Sequence, residues 1–222
     1  MHFEVLVEDQ SGKKALDILI PKIIGAGDQH TCEVHFYKGI GRIPRNLKSG
    51  TEASNRLLLD QLPKLLRGYG KTFADYPPDY PPDYPAVVIL VCDLDDKCLK
   101  EFRQELFTAL NACNPKPETR FCIAIEEGEA WLLGDIAAIK AAYPKAKDNV
   151  LSRYKNDAIC GTWELLADAV YQGGANELKK KGWATVGQEK SIWAERITPH
   201  MDVAINASPS FCYFHKKIRE LI

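Results

Sequence analysis

The sequence predicts an α/β fold built on a mostly parallel sheet with helices on its faces. Three observations carry that prediction. Strand-like and helix-like patterns alternate β-α four times over the first 143 residues. One segment, VVILVCD at 87–93, is apolar throughout, as a strand buried on both faces must be. And three of the four strand candidates stop on acidic residues, at the edge where such sheets bind ligands.

The elements follow in order. FEVLV (3–7) is the first strand. GKKALDILIPKII (12–24) has apolar residues at 15, 16, 19 and 23, a helical spacing, with Pro21 expected to bend or end it. EVHFYKG (33–39) alternates in its middle and is the second strand. A basic loop with glycines, KGIGRIPRNLKSG, leads to a helix over 51–70, with Thr51 as a cap and Gly68 and Gly70 as stop signals. The tandem repeat DYPPDYPPDYP (75–85) is too rich in proline for helix or sheet and predicts an extended surface loop. After the third strand, CLKEFRQELFTALNAC (98–113) places Leu99, Phe102, Leu106 and Leu110 on one helical stripe. RFCIAI (120–125) is the fourth strand, and EEGEAWLLGDIAAIKAAY (126–143) turns into a helix that Pro144 ends. Residues 1–143 are thus an α/β core. Residues 144–222 read as a helical extension packed on it.

Bulk properties narrow the function. The 222 residues are 45% hydrophobic and 27% charged, ordinary for a globular chain and unlike a disordered one. A net charge of −1 gives no global basic field, so any nucleic-acid surface must be local. No apolar run is long enough for a membrane span, and MHFEVLVED lacks the basic start and cleavage pattern of a signal peptide. Seven cysteines without a CxxC predict free thiols in a reducing compartment, hence a cytoplasmic protein. The five histidines show no zinc-ligand spacing; His30 and Cys32 form only a lone HxC. No P-loop or GxGxxG follows any strand.

The acids therefore carry the chemistry. Strand one ends with Glu8 and Asp9, strand three with Asp93, Asp95 and Asp96, and strand four with Glu126, Glu127 and Glu129. Uncompensated carboxylates sharing one cleft repel by roughly several kcal/mol at low dielectric. A divalent cation relieves that, and all-oxygen ligands suit Mg²⁺ or Mn²⁺. The competing reading is helix capping: Asp95 or Asp96 for helix 98–113, and Glu126 or Glu127 in the first turn of the next helix. A receiver-type phosphoacceptor domain would carry its acid pair after strand one and a lysine after strand five. Here the strongest pair follows strand three.

A glutamate after strand one with DxD after strand three resembles the TOPRIM fold. The closer resemblance is to a TOPRIM-like family of unknown function related to OLD-type nucleases, carried by LVEDQSGKKAL (6–16), VILVCDLDD (88–96), IAIEEGEAWLLGD (123–135), K-x-x-WA (190–194), and Asn206 with SPSF (208–211). The resemblance implies a TOPRIM-like Rossmannoid sheet and Mg²⁺-dependent chemistry on DNA or RNA phosphodiesters. It also implies an SMC/ABC-like ATPase partner in bacterial anti-phage defence. Some such nucleases begin EGxTE; EDQSGKK lacks the second glutamate, which Glu126, Glu127 or Glu129 would have to replace.

On this reading Glu8, Asp93 and Asp95 bind Mg²⁺ (or Mn²⁺), and Glu127 or Glu129 helps place a second ion or its water. Glu8 could instead serve as general base. Candidate phosphate contacts are Lys13 and Lys14, then Arg42, Arg45 and Lys48 in the basic loop, with Lys179–Lys181 and Lys190 further along. Lys179–Lys181 fits a solvated charged face, and Trp131 fits core. A regulatory subunit that holds the metal without cleaving is the alternative function, a nucleotidyl or phosphoryl transferase using the same acids is a third, and homo-oligomers are compatible with either of the first two.

Overall fold

A computed structural model describes residues 1–25, 27, 29–47, 57–75 and 85–222. Strands β1 (His2–Val7), β2 (Thr31–Phe36), β3 (Ala86–Asp93) and β4 (Thr119–Ala124) form one sheet in the order β2-β1-β3-β4, parallel at every pairing. Helices α1 (Gln10–Ile24), α2 (Leu58–Ala74) and α3 (Leu99–Asn111) connect them. The fold is α/β and Rossmann-like, with helices on both faces of the sheet.

The apolar run of β3 is explained by what covers it. Val87, Ile89 and Val91 point into a core shared with α1 and the C-terminal helices. Val88, Leu90 and Cys92 point into a second core with Leu58, Leu62 and Leu66 of α2 and Phe102 and Leu106 of α3. A strand read by two cores has no polar face to show. The chain steps from β1 through α1 to β2, then returns through α2 across β1 to β3. With α1 and α2 on opposite faces, the carboxyl ends of β1 and β3 form the topological switch point, where open parallel sheets leave a crevice.

After β4 come α4 (Glu129–Leu133), α5 (Ile136–Ala142), α6 (Asp148–Leu151), α7 (Thr162–Val170), α8 (Gly174–Lys180), α9 (Trp183–Ile197), a 3-10 turn (Thr198–His200) and α10 (Pro209–Arg219). Helix α9 packs along α1, and α10 packs on β4 and α1. Trp193, Phe211 and Phe214 join the same core as Phe3 and Val5 of β1. Trp131 is core, as its helical spacing predicts: it stacks on Phe214 at 4.8 Å between ring centres and meets Phe211 edge-on at 5.5 Å.

Several sequence expectations are corrected. Pro21 does not end α1, which runs to Ile24; the Gly25 N–H closes on the Pro21 carbonyl, and Pro21 lies inside the last turn. Gly68 and Gly70 do not stop α2, which continues to Ala74. A Cβ on Gly70 would sit 2.0 Å from the Pro115 carbonyl oxygen, so that glycine serves a close approach of chains. The expected helix over 126–143 is two helices. At the break, Asp135 caps α5 through the Ala138 N–H at 2.9 Å, and a Cβ on Gly134 would strike Asn206. Leu99, the first residue of α3, is 38% exposed and leaves the buried stripe to Phe102, Leu106 and Leu110. Thr51 and most of the YPPD repeat (76–84) lie outside the described residues.

Candidate functional site

Glu8 leaves β1 at the switch point, and Asp93 ends β3 beside it. Glu8 Oε2 accepts the Asp93 backbone N–H at 3.2 Å, which ties the two strand ends together. Asp9 is occupied elsewhere as the cap of α1: its carboxylate accepts the Gly12 N–H and the Ser11 hydroxyl, each at 2.7 Å. A cavity of about 50 Å³ lies at this corner, and its polar lining includes Glu8, Asp93, Glu129 and Lys190.

Lys190 enters from α9. Its Nζ lies 3.0 Å from Glu129 Oε2 and 3.5 Å from Glu127 Oε1. Glu129 is only 4% exposed, and its Oε2 receives no directed hydrogen bond. The 3.0 Å contact is therefore an ion pair without hydrogen-bond alignment. Glu127 also accepts the Thr162 hydroxyl at 3.3 Å.

The electrostatics show a shortage of positive charge. Burial pushes the Glu8 carboxyl up to about 7; the Asp93 N–H opposes the rise, Asp9 and Asp95 add to it, and Lys190 reduces it. Burial likewise drives Asp93 well above the ordinary carboxylate range, with Glu8 adding repulsion. Glu127 rises to about 7, mainly through burial, although Lys190 pulls against it. Burial acts against the Lys190 charge, but Glu129, Glu127 and Asp93 outweigh it and raise its pKa. One ammonium does not satisfy these carboxylates.

Asp95 behaves differently. It sits in the left-handed region at φ 50°, donates its backbone N–H to the Glu126 carbonyl at 2.9 Å, and pairs its carboxylate with Lys97 at 3.0 Å. It does not cap α3, whose N-cap position is Cys98 without a side-chain bond. Glu126, also left-handed at φ 63°, accepts the Thr162 N–H at 2.9 Å and the Gly161 N–H, which holds the start of α7. The structure thus brings Glu8, Asp93, Glu127, Glu129 and Lys190 to one corner, with Asp95 turned toward Lys97. Among the described residues, the one trio of acid or histidine side chains that places an atom from each within 4.8 Å of the others lies elsewhere, at Glu4, Glu33 and His35.

The basic candidates divide into two groups. Lys13 pairs with Asp17 and Lys14 with Glu195, each at 2.9 Å. Arg42 and Arg45 are exposed and line a groove of about 810 Å³ whose wall also includes Asp96 and Lys97, next to Asp95. Lys48 lies outside the described residues. Lys179 and Lys180 pair with Glu164 and Glu177, while Lys181 donates to the Tyr171 hydroxyl, as a solvated charged face would.

The sequence placed Lys190 among possible substrate contacts and missed its partnership with the acids. The signal was present. Val186, Lys190, Trp193, Ala194 and Ile197 fall at helical spacing, so Lys190 is the charged member of the buried stripe of α9. The motifs IEEGEAWLLGD and N-SPSF are joined by contacts of another kind. Asn206 donates to the Trp131 carbonyl at 2.8 Å and accepts the Ser208 N–H at 2.9 Å. Ser210 Oγ accepts the Trp131 indole N–H at 2.9 Å, and Asp157 accepts the Ser208 hydroxyl and the Ser210 N–H. These residues hold α4 and α10 in place.

Comparisons with protein-family models, curated proteins and solved structures find no match for this chain. Among the described residues, no helix is long and apolar enough to cross a membrane.

Proposed function

We propose that this chain is a Mg²⁺- or Mn²⁺-dependent nuclease of the TOPRIM-like type, acting on DNA or RNA phosphodiesters from the corner between β1 and β3. The observation that carries the reading is the Glu8–Asp93 pair. Two acids from different strands meet at the switch point, half-buried and short of positive charge. The donors at the corner are of the kind a hard divalent cation takes. Glu8 and Asp93 offer only oxygens, Glu129 adds a buried oxygen now paired with Lys190, and Asp95 would have to leave Lys97 to join them. Such a cation, when bound, supplies Lewis-acid polarisation of a phosphate oxygen.

The protein's own groups have distinct work in this scheme. Glu8 is a metal ligand or, in the alternative where it leaves the cation to Asp93 and its neighbours, a general base whose carboxyl, pushed up to about 7, is suited to take a proton from an attacking water. Lys190 holds Glu127 and Glu129 and lowers the repulsion felt by Asp93. Arg42 and Arg45 offer phosphate contacts along the groove that reaches Asp96. The family resemblance adds the rest of the proposal: an SMC/ABC-like ATPase partner, a role in bacterial anti-phage defence, and a cytoplasmic setting.

A second reading, a metal-holding regulatory subunit of that ATPase complex, is favoured by one observation. Lys190 already lies among the acids, and Lys97 already pairs with Asp95. The test is incubation of the purified chain, alone and with the ATPase, with plasmid, linear DNA and tRNA in Mg²⁺ or Mn²⁺. Cleavage that disappears in Glu8→Gln and Asp93→Asn supports the nuclease. Metal binding without cleavage supports the regulatory subunit. Failure of either cation to bind at the rim overturns both.

A further inference from the structure

A second polar cluster lies on the sheet about 13 Å from Glu8, four residues back along β1 at roughly 3.3 Å per residue. Glu4 of β1 is directly opposite Glu33 of β2, and His35 follows Glu33 on the same face. One ligand atom from each of Glu4, Glu33 and His35 lies within 4.8 Å of the other two. His35 Nε2 is 2.7 Å from Glu4 Oε2, and His35 Nδ1 is 3.9 Å from Glu33 Oε1.

We propose that Glu4, Glu33 and His35 form a binding site for a first-row divalent transition ion, of the Zn²⁺ or Co²⁺ class. One imidazole with two carboxylates matches such ions better than Mg²⁺, which takes oxygen almost exclusively. Bonds of about 2.0–2.1 Å in a tetrahedral site put ligand atoms roughly 3.3 Å apart. Glu4 and Glu33 now face different ring nitrogens of His35, so Glu33 must swing toward the nitrogen that takes the ion. Glu33 is free to do so, because its side chain is 66% exposed, and His35 at 35% leaves a path for the ion and an outer ligand.

The surroundings support the ligands in the way metal sites require. Glu4 is the inner ligand, with a side chain only 16% exposed. Its Oε1 meets His2 Nε2 at 3.2 Å, and its Oε2 accepts the Tyr69 hydroxyl from α2 at 3.2 Å. His2 Nδ1 is fixed in turn by the Thr31 hydroxyl at 2.6 Å. Outer groups that orient a ligating carboxylate commonly change metal affinity by about 10–100-fold when removed. Linear spacing in the sequence does not reveal the site, because its ligands come from two neighbouring strands.

Titration of the full chain with Co²⁺, read by visible absorption and by the histidine ring signals in NMR, tests the proposal. With Mg²⁺ in excess to occupy the rim, we expect one Co²⁺ to bind with His35 signals shifted and no thiolate charge-transfer band. Affinity should fall at least about tenfold in His35→Gln and in Glu33→Gln, and more modestly in Tyr69→Phe. It should be unchanged in Glu8→Gln, which separates this site from the rim. Glu33→Gln keeps the test decisive if His35→Gln fails to fold, since the Glu33 side chain is largely in solvent. No Co²⁺ binding, binding through cysteine, or binding unaltered in Glu33→Gln and His35→Gln overturns the proposal. The cluster would then be a hydrogen-bonded guard on the edge strand β2.

Discussion

Two buried polar clusters flank α4, and they are built on opposite principles. The cluster of Asn206, Asp157, Ser208, Ser210 and Trp131 is closed: its amide, hydroxyls and indole N–H all find partners within the protein. The cluster of Glu8, Asp93, Glu127, Glu129 and Lys190 is open. Its acids outnumber its cation, and Lys190 is shared between Glu127 and Glu129. A folding sequence gains from the first kind, whereas the second kind costs stability unless something from outside completes it. On the proposed function, that contrast separates architecture from site.

The contrast can be broken most strongly at Lys190. Lys190→Met removes the one ammonium from the open cluster, and breaking a buried pair typically costs about 3–5 kcal/mol. Urea unfolding should show a loss of that size without divalent cations and partial recovery with Mg²⁺. Next comes pH. Glu8 titrates at about 7 in the folded chain against an ordinary 4.5, so the folded form holds a proton that the unfolded form has released. Its stabilising contribution is full below pH 4.5 and is lost as pH rises through 7, by up to ~3.5 kcal/mol at about 1.4 kcal/mol per pH unit. Melts across that window should show the decline, Glu8→Gln should reduce it and leave the share of Asp93 and Glu127, and saturating Mg²⁺ should suppress it. A smaller effect is expected from Asn206→Ala, which orphans the Trp131 carbonyl and the Ser208 N–H and should cost about 2 kcal/mol. That loss should be indifferent to Mg²⁺; recovery with the cation would erase the distinction between the clusters.

Much of the fold was legible because it rests on local patterns. The apolar 87–93 run had to be a doubly covered strand, and the alternation of elements had to give a parallel sheet. The misjudged boundaries share a cause. Gly70 looked like punctuation and Gly134 like helix interior, but they serve contacts with Pro115 and Asn206, residues 45 and 72 positions away, which no local window sees. The site was legible in part. Glu8 and Asp93 meet as their strand positions suggested, whereas Asp95 turns to Lys97 because its backbone enters the left-handed region. The role of Lys190 depended on which face α9 turns inward, written in the spacing of Val186, Trp193 and Ile197. Reading Lys190 as a phosphate contact concealed it.

Helix α9 carries Lys190 at its middle and Trp183, 73% exposed, at its first residue. Seven residues of helix separate them, about 10 Å of stiff rod. The exposed indole and the ammonium at the strand ends therefore belong to one stiff element, which joins the outer surface to the corner where β1 and β3 end.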